Sequence, residues 1–320
     1  MRKSLLWGLL AVMTMLLAAC GSASGQAESL KEQTSIGLVV TESGLGDDSF
    51  SDSAIRGLER ARDELGILFD YREPEPEDLA ASIDALVQNQ HELIVGLGFN
   101  AQQPIEEMAS KYPEQQFILV DGVSEKKNVT SITFKENEGS YLIGLIAGMR
   151  TKSNTVGFIG GQKVPLIENF EKGFTSGVKE VNPDAEVLVD YIDTFSDDKK
   201  GAATAQKQIK DGADFIFPTA GFAGVGALKK AQEKGIYAFG VDSDQFYIAE
   251  EAVVTSMLKR VDTALFDMAK QLDEEQPFTG EHIELGLQEN GVGLAPIRVI
   301  TLTAEQQDRL DQASGKGNNE

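Results

Sequence analysis

The sequence predicts an α/β protein of two lobes, each built on a doubly wound parallel sheet, and three observations support this fold class. Short apolar strands alternate with amphipathic helices from Ile36 onward, and such alternation implies parallel strands joined by right-handed crossovers. The alternating series occurs twice, with a break near residues 134–137. The chain has 320 residues, whereas a single core stops growing beyond roughly 250–300 residues.

The first series begins with a strand, a glycine-containing turn and a helix. Ile36–Val40 is a short apolar run rich in β-branched residues, as in a buried parallel strand. Ser53–Leu65 places its apolar residues on one helical face. Further strands are predicted at Leu68–Tyr71, Leu93–Leu97, Phe117–Val120 and Val129–Phe134. Further helices are predicted at Pro76–Gln88, Pro104–Lys111 and Glu138–Arg150, the first two with proline in the first turn.

The second series repeats the alternation, and the C-terminal part departs from it. The predicted strands are Val156–Ile159, Glu186–Tyr191, Phe215–Pro218, Tyr237–Val241 and Val253–Leu258. The predicted helices are Leu166–Val181, Asp197–Lys210, Val225–Lys234 and Val261–Leu272. After them, Ile283–Leu287 and Gly291–Leu294 are separated by three residues and predict a β-hairpin. Thr303–Ala313 predicts a last helix, and residues 314–320 predict a disordered polar tail.

The N-terminus predicts export and a lipid anchor. Arg2 and Lys3 precede an apolar run over residues 5–19, which is short for a membrane span. Residues 17–21, Leu-Ala-Ala-Cys-Gly, resemble the lipobox of bacterial lipoproteins, which implies removal of signal peptide 1–19 and acylation of Cys20. Cys20 is the only cysteine, so no intramolecular disulfide is possible. The small polar residues up to 34 predict a flexible tether.

The charge and the motif inventory exclude several function classes. A formal net charge of −22 argues against nucleic-acid binding and against electrostatic docking to anionic lipid. His91 and His282 are the only histidines, and no nucleophile motif, zinc motif or cysteine pair accompanies them, so we expect no enzyme. Exposed aspartates are common in so acidic a chain, so Asp47, Asp48, Asp242 and Asp244 are weak support for a metal, and we expect none.

A glycine-rich stretch at residues 221–226 invites comparison with a dinucleotide-binding turn. Its glycines have the order G-x-x-G-x-G, whereas the fingerprint requires G-x-G-x-x-G. We therefore expect no cofactor. A tight strand-to-helix turn that exposes Phe222 at the cleft is the better interpretation.

Polar and aromatic residues follow the ends of many predicted strands. In an open α/β sheet, ligands bind beyond the carboxyl ends of the strands. Carboxylates outnumber lysines in this set, which favours a neutral, hydroxyl-rich ligand over an anion. The set comprises Asp47, Phe50, Phe99, Asn100, Asp121, residues 160–163, Phe222, Asp242, Asp244, Gln245 and Lys259.

Several short motifs occur together in a fixed order from about Ser35 to Leu294. They are Asp47-x-x-Phe50 with Ala54-x-x-Gly57, Phe117-Ile-Leu-Val-Asp121-Gly122, Glu138-Gly-Ser-Tyr-Leu-x-Gly144, Val156-Gly-Phe-Ile-Gly-Gly161, Gly240-Val-Asp-x-Asp-Gln245 and Thr255-Ser-Met-Leu-Lys259. In this combination the sequence resembles the basic membrane protein (BMP) family of substrate-binding lipoproteins, whose characterised members bind purine nucleosides for ABC importers.

The resemblance implies a type I periplasmic-binding-protein fold whose lobes are joined by three crossovers. It implies an N-terminal lobe of residues 35–134 plus 257–283 and a C-terminal lobe of residues 135–256 plus 284–313. Phe50 and Phe222 resemble an aromatic pair that sandwiches a base, and Ser51 stands where relatives usually have Asn. Asp47, Asp121, Asp242 and Lys259 resemble polar contacts to base and ribose.

The resemblance also implies partners and a location. We expect a monomer that is lipid-anchored on the extracytoplasmic face of the cell membrane, where it delivers a nucleoside to ABC permease and ATPase subunits. Two alternatives remain open at this point. One is a sensory or regulatory lipoprotein of the same fold, since one branch of the family includes a regulator of competence in bacilli. The other is a sugar receptor.

Overall fold

A computed structural model of the protein describes residues 34–74 and 78–315. The predicted signal peptide, Cys20, nearly all of the tether and the end of the polar tail lie outside the described residues. Among the described residues, no helix is long and apolar enough to cross a membrane.

Over the described residues the strands form two six-stranded sheets, and the first of these contains parallel strands only. Its spatial order is β11-β5-β4-β3-β1-β2. The central strands are buried on both faces, as their continuous apolar sequences predict. The strands are β1 (Ser35–Val39), β2 (Leu68–Arg72), β3 (Leu93–Leu97), β4 (Gln116–Val120), β5 (Val129–Phe134) and β11 (His282–Leu285). The helices packed around this sheet are α1 (Phe50–Leu65), α2 (Leu79–Gln88), α3 (Gln102–Lys111) and α8 (Val261–Asp273).

The second sheet has the order β12-β10-β9-β8-β6-β7 and is parallel except for its edge strand β12. Its strands are β6 (Thr155–Gly160), β7 (Glu186–Tyr191), β8 (Phe215–Thr219), β9 (Tyr237–Asp242), β10 (Val253–Lys259) and β12 (Val292–Leu294). Its helices are α4 (Glu136–Arg150), α5 (Pro165–Val181), α6 (Asp198–Lys210), α7 (Gly221–Glu233) and α9 (Ala304–Ala313). The predicted fold class of two doubly wound lobes is confirmed.

Within residues 34–74 and 78–315, the chain passes between the two sheets three times. The passages follow β5, β10 and β11, at residues 134–136, 259–261 and 285–292. Three crossovers of this kind are the connectivity of the type I periplasmic-binding-protein fold. They bring the carboxyl ends of the strands of both sheets to a common cleft.

The predicted hairpin at residues 283–294 is wrong. Strand β11 extends the first sheet by pairing in parallel with β5, with His282 opposite Ser131. Strand β12 pairs antiparallel with β10 in the second sheet, with Leu294 opposite Met257. The two strands follow each other closely in sequence, but each completes a different sheet, and the residues between them form the third crossover.

Two helices begin three or four residues earlier than the sequence predicts. Helix α1 begins at Phe50 rather than Ser53, and α7 begins at Gly221 rather than Val225. Two glycines of α7 have different roles: Gly221 has φ +53° at the turn into the helix, and a Cβ atom at Gly226 would overlap the backbone of Asp198 in α6. This early start makes Phe222 the second residue of α7.

Candidate functional site

A cavity of about 560 Å³ lies at the carboxyl ends of the strands of both sheets. This volume is within the range of small-molecule sites. Its wall combines aromatic faces with carboxylates and hydroxyls. From the first lobe it includes Val40, Thr41, Asp47, Phe50, Phe99, Asn100 and Asp121, and from the second lobe Ile167, Phe170, Phe195, Thr219, Val241, Asp242 and Lys259.

Lys259 is a buried cation in the wall of this cavity, with a side chain that is 2% exposed. Its Nζ atom lies 2.6 Å from Asp121 Oδ2 and 3.1 Å from Glu136 Oε1. Burial favours the neutral amine, but the carboxylates of Asp121, Glu136 and Asp242 outweigh it and raise the pKa of Lys259 above its ordinary value. Lys259 is therefore a charged ammonium group at neutral pH.

Aromatic rings surround the same ammonium group. The ring centroids lie 5.0 Å (Phe50), 5.1 Å (Phe134) and 5.8 Å (Phe170) from Nζ. These distances allow favourable cation–π contacts. Lys259 thus links the two lobes, since β10 belongs to the second sheet and two of these rings belong to the first lobe.

The three carboxyl groups around Lys259 hold protons more tightly than usual. Burial is the main cause, and it raises the pKa of Asp121, of Glu136 to about 7 and of Asp242 to about 6, although Lys259 opposes the shift in each case. Asp242 also accepts a short hydrogen bond from the Ser49 hydroxyl of the first lobe. The ammonium group of Lys259 is therefore shared by three carboxyl groups, and carboxyl oxygens remain that can accept hydrogen bonds from a ligand.

Asp47 both lines the cavity and organises the start of α1. Its two carboxylate oxygens accept hydrogen bonds from the backbone N–H groups of Ser49 (2.9 Å), Ser51 (2.9 Å) and Asp52 (3.1 Å). Burial raises the pKa of Asp47, and these three hydrogen bonds oppose the shift. By fixing this turn, Asp47 holds Phe50 at the cavity.

Asp121 and Asp242 occupy equivalent places at the strand ends of the two lobes. Asp121 follows β4 and has φ +65°, and Asp242 ends β9 and has φ +63°. Residues other than glycine seldom adopt this left-handed region, although aspartate tolerates it better than most. Strained backbone of this kind clusters at ligand-binding sites.

Comparison with known proteins identifies the family. Residues 34–319 match the family described as ABC transporter substrate-binding protein, PnrA-like. The chain belongs to this family.

Known proteins are similar to this chain over most of its length. A CD4+ T-cell-stimulating antigen of Listeria innocua is 36% identical over 88% of this chain and 86% of its own. The ABC transporter nucleoside-binding protein BmpA of Lactococcus lactis is 31% identical over 93% and 91%. A solved ABC transporter solute-binding protein of Aeropyrum pernix superimposes with a TM-score of 0.78 at 29% identity, over 89% of this chain and 82% of that one.

The structure brings five of the predicted ligand-binding residues together and leaves two outside the cavity wall. Ser51 is buried beneath the wall, where its hydroxyl lies 3.0 Å from that of Thr41. Phe222 is the second residue of α7 and is not among the residues that line the cavity. The five that line the cavity are Asp47, Phe50, Asp121, Asp242 and Lys259.

Sequence reasoning missed several residues of the site. Phe195 follows β7 and contacts Phe99 across the cleft, with ring centroids 6.4 Å apart. The strand-end rule that selected Phe99 could have selected Phe195 as well. Glu136, by contrast, begins α4 and reaches Lys259 only through the fold, so no local signal indicates its role.

Proposed function

We propose that this family member binds a nucleoside, with a purine as the preferred base, and delivers it to an ABC permease. One observation carries the proposal: a single cavity between two lobes combines aromatic faces from both lobes with buried carboxyl groups. Flat faces suit a base, and carboxylates suit sugar hydroxyls. The relative from Lactococcus lactis that is named a nucleoside-binding protein supports the same ligand class.

In this proposal the base stacks between Phe50 of the first lobe and Phe195 of the second. Both rings line the cavity. Phe195 takes the place that the resemblance assigned to Phe222, because Phe195 lines the cavity and Phe222 does not.

The ribose is held by Asp121, Asp242 and Lys259. Asp121 uses its Oδ2 atom for Lys259, and its buried Oδ1 atom has no hydrogen-bond partner among the described residues. A sugar hydroxyl would satisfy this atom. Asp242 likewise retains acceptor capacity beyond its bond with Ser49.

The ligand class is tested on the exported part of the chain, residues 21–320. Calorimetric titration with inosine, guanosine, adenosine, uridine and ribose is expected to show tight binding of a purine nucleoside and weak binding of ribose. Mass spectrometry of ligand that co-purifies with the protein provides an independent check. Tight ribose binding with no gain from a base would instead support a sugar receptor.

We further propose that Cys20 is acylated and anchors the protein on the extracytoplasmic face of the membrane. The motivation is the lipobox-like sequence at residues 17–21. Cells that express the full chain are labelled with a fatty-acid analogue. The wild-type protein is expected to carry the label and Cys20→Ser to lack it, whereas equal labelling would contradict the anchor.

A further inference from the structure

Thr219 is the last residue of β8 and lines the cavity, with a side chain that is almost completely buried. Its backbone carbonyl accepts a hydrogen bond from the N–H group of Gly161 at 3.1 Å. Its hydroxyl, however, has no hydrogen-bond partner among the described residues. Buried polar groups in native proteins are nearly always paired, so this hydroxyl requires an explanation.

The other hydroxyl groups in the cavity wall have protein partners. The hydroxyl of Thr41 lies 3.0 Å from that of Ser51, and the hydroxyl of Ser43 donates to the carbonyl oxygen of Phe195 at 3.4 Å. Thr219 therefore differs from the two hydroxyl residues that come from the first lobe. It is 3% exposed, and a valine at this position would fill the same space without an unpaired polar atom.

The chemistry of the surrounding wall indicates what the hydroxyl can do. Ionised Asp121 and Asp242 only accept hydrogen bonds, so they recognise donors of the ligand. A threonine hydroxyl can donate as well as accept, and can therefore recognise an oxygen or nitrogen acceptor. Asp242 ends β9, the strand next to β8, so Thr219 and Asp242 both lie at the carboxyl-terminal end of the second sheet, and both line the cavity.

We propose that Thr219 is a specificity-determining residue of the ligand site, and that its hydroxyl forms a hydrogen bond with a polar group of the bound nucleoside. This inference rests on the proposed function, and it adds a direct contact that lies outside the resemblance-derived set. In the free protein the hydroxyl has no partner among the described residues, and it gains its hydrogen bond only in the complex.

The test compares Thr219→Val, which removes the hydroxyl, with Thr219→Ser, which keeps it. Thr130→Val is the matched control, because Thr130 also has a buried hydroxyl without a partner among the described residues but does not line the cavity. Calorimetry uses inosine, guanosine and adenosine with their 2′-, 3′- and 5′-deoxy analogues. The melting temperature of each unliganded variant is measured in parallel.

Thr219→Val is expected to bind the preferred nucleoside about 3- to 10-fold more weakly, the effect of one ordinary hydrogen bond. If the contacted group is a ribose hydroxyl, the analogue that lacks it will bind wild type and Thr219→Val equally. If the contacted group is on the base, every deoxy analogue will bind Thr219→Val more weakly than wild type by the same factor as the parent nucleoside. Thr219→Ser and Thr130→Val are expected to bind nearly as wild type, and Thr219→Val should melt no lower than wild type.

Three outcomes would overturn the inference. Equal affinity of Thr219→Val and wild type would refute it and leave the proposed function intact. A lower melting temperature of unliganded Thr219→Val, with the same loss of affinity in Thr130→Val, would assign the hydroxyl a structural role instead. Wild-type protein that binds none of the nucleosides would refute the proposed function and this inference together.

Discussion

Phe50 is a single ring at the meeting point of the base site and the buried charge cluster. It lines the cavity, and its centroid lies 5.0 Å from Lys259 Nζ. Its position depends on Asp47, which binds three backbone N–H groups at the start of α1. Asp47 therefore supports binding in a second way, by holding Phe50 in position.

We predict that Phe50→Ala weakens nucleoside binding roughly 5- to over 100-fold, because stacking of a base on an aromatic ring contributes roughly 1–3 kcal/mol. Phe50→Trp should bind nearly as wild type, since the contact requires a flat face. Phe222→Ala is the matched control, because Phe222 lies outside the cavity wall. Calorimetric titration measures the affinity of each variant for the nucleoside. A larger loss of affinity in Phe222→Ala than in Phe50→Ala would contradict this assignment of the base site.

The buried carboxyl groups predict a pH dependence of stability. Burial raises the pKa of Glu136 to about 7 and of Asp242 to about 6, from ordinary values of 4.5 and 3.8. Between about pH 4 and pH 7 these two groups bind more protons in the folded state than in the unfolded state. Their contribution to the free energy of unfolding therefore falls as the pH rises through this window.

Glu136→Gln removes one of these groups and keeps its size. Urea unfolding of unliganded protein at pH 5 and at pH 7.5 measures the change in free energy of unfolding between the two pH values. We expect the Glu136→Gln variant to lose less stability over this interval than wild type does. An identical pH dependence in the two proteins would show that Glu136 ionises normally. Glu138→Gln is the control, because Glu138 lies on the same helix and is partly exposed.

At the scale of elements, helices α4 and α5 of the second lobe pack closely against each other. A Cβ atom at Gly144 would overlap the carbonyl group of Phe174, so the two helix backbones touch. The glycine at the end of this sequence motif thus reflects a packing requirement. Glu138 accepts a hydrogen bond from the backbone N–H of Leu287 at 2.8 Å, which fixes the third crossover to the same helix.

We predict that Gly144→Ala destabilises the protein by about 1–3 kcal/mol, because the added methyl group forces the two helices apart. Gly224→Ala in α7 is the matched control. A Cβ atom there would lie 3.5 Å from the nearest side-chain atom, and alanine is the better helix former, so the control should be neutral or slightly stabilising. Urea unfolding gives both values. Equal effects of the two substitutions would refute the close contact.

At the scale of the whole molecule, contacts between the lobes surround the cavity. The Tyr247 hydroxyl donates to Asp48 Oδ1 at 2.6 Å, and the Gln245 side-chain amide donates to the Asp48 carbonyl oxygen at 3.1 Å. On the other side, Phe99 contacts Phe195. A ligand that binds groups of both lobes favours the conformation in which those groups are close.

We propose that residues 134–136, 259–261 and 285–292 form a hinge about which the two lobes close on the ligand. Small-angle scattering at a saturating nucleoside concentration is expected to show a smaller radius of gyration than without ligand. Phe50→Ala at the same concentration is expected to compact less, in proportion to its lower occupancy. A scattering profile that does not change at saturation would contradict closure.

The sequence by itself determined the fold class, the family and the positions of Asp121 and Asp242 at strand ends. These features are written in local patterns. A continuous apolar run predicts a strand buried on both faces, and the residue after it must lie at the sheet edge where ligands bind. Each lobe repeats the same alternation of strands and helices, so the pattern can be recognised in a single sequence.

Only the tertiary structure decided which distant residues meet. Residues 282–294 contain two short apolar segments that equally suit a hairpin or edge strands of two sheets. Their pairing with β5 and β10 shows that they are edge strands. Phe222 and Phe195 both follow strands of the second lobe, but only Phe195 lines the cavity, and no local pattern distinguishes the two. Glu136 reaches Lys259 across more than a hundred residues of chain. The physical reason is the same in each case. The pattern of side chains along a segment indicates which residues are buried. The residues that they pack against depend on how elements far apart in the sequence come together.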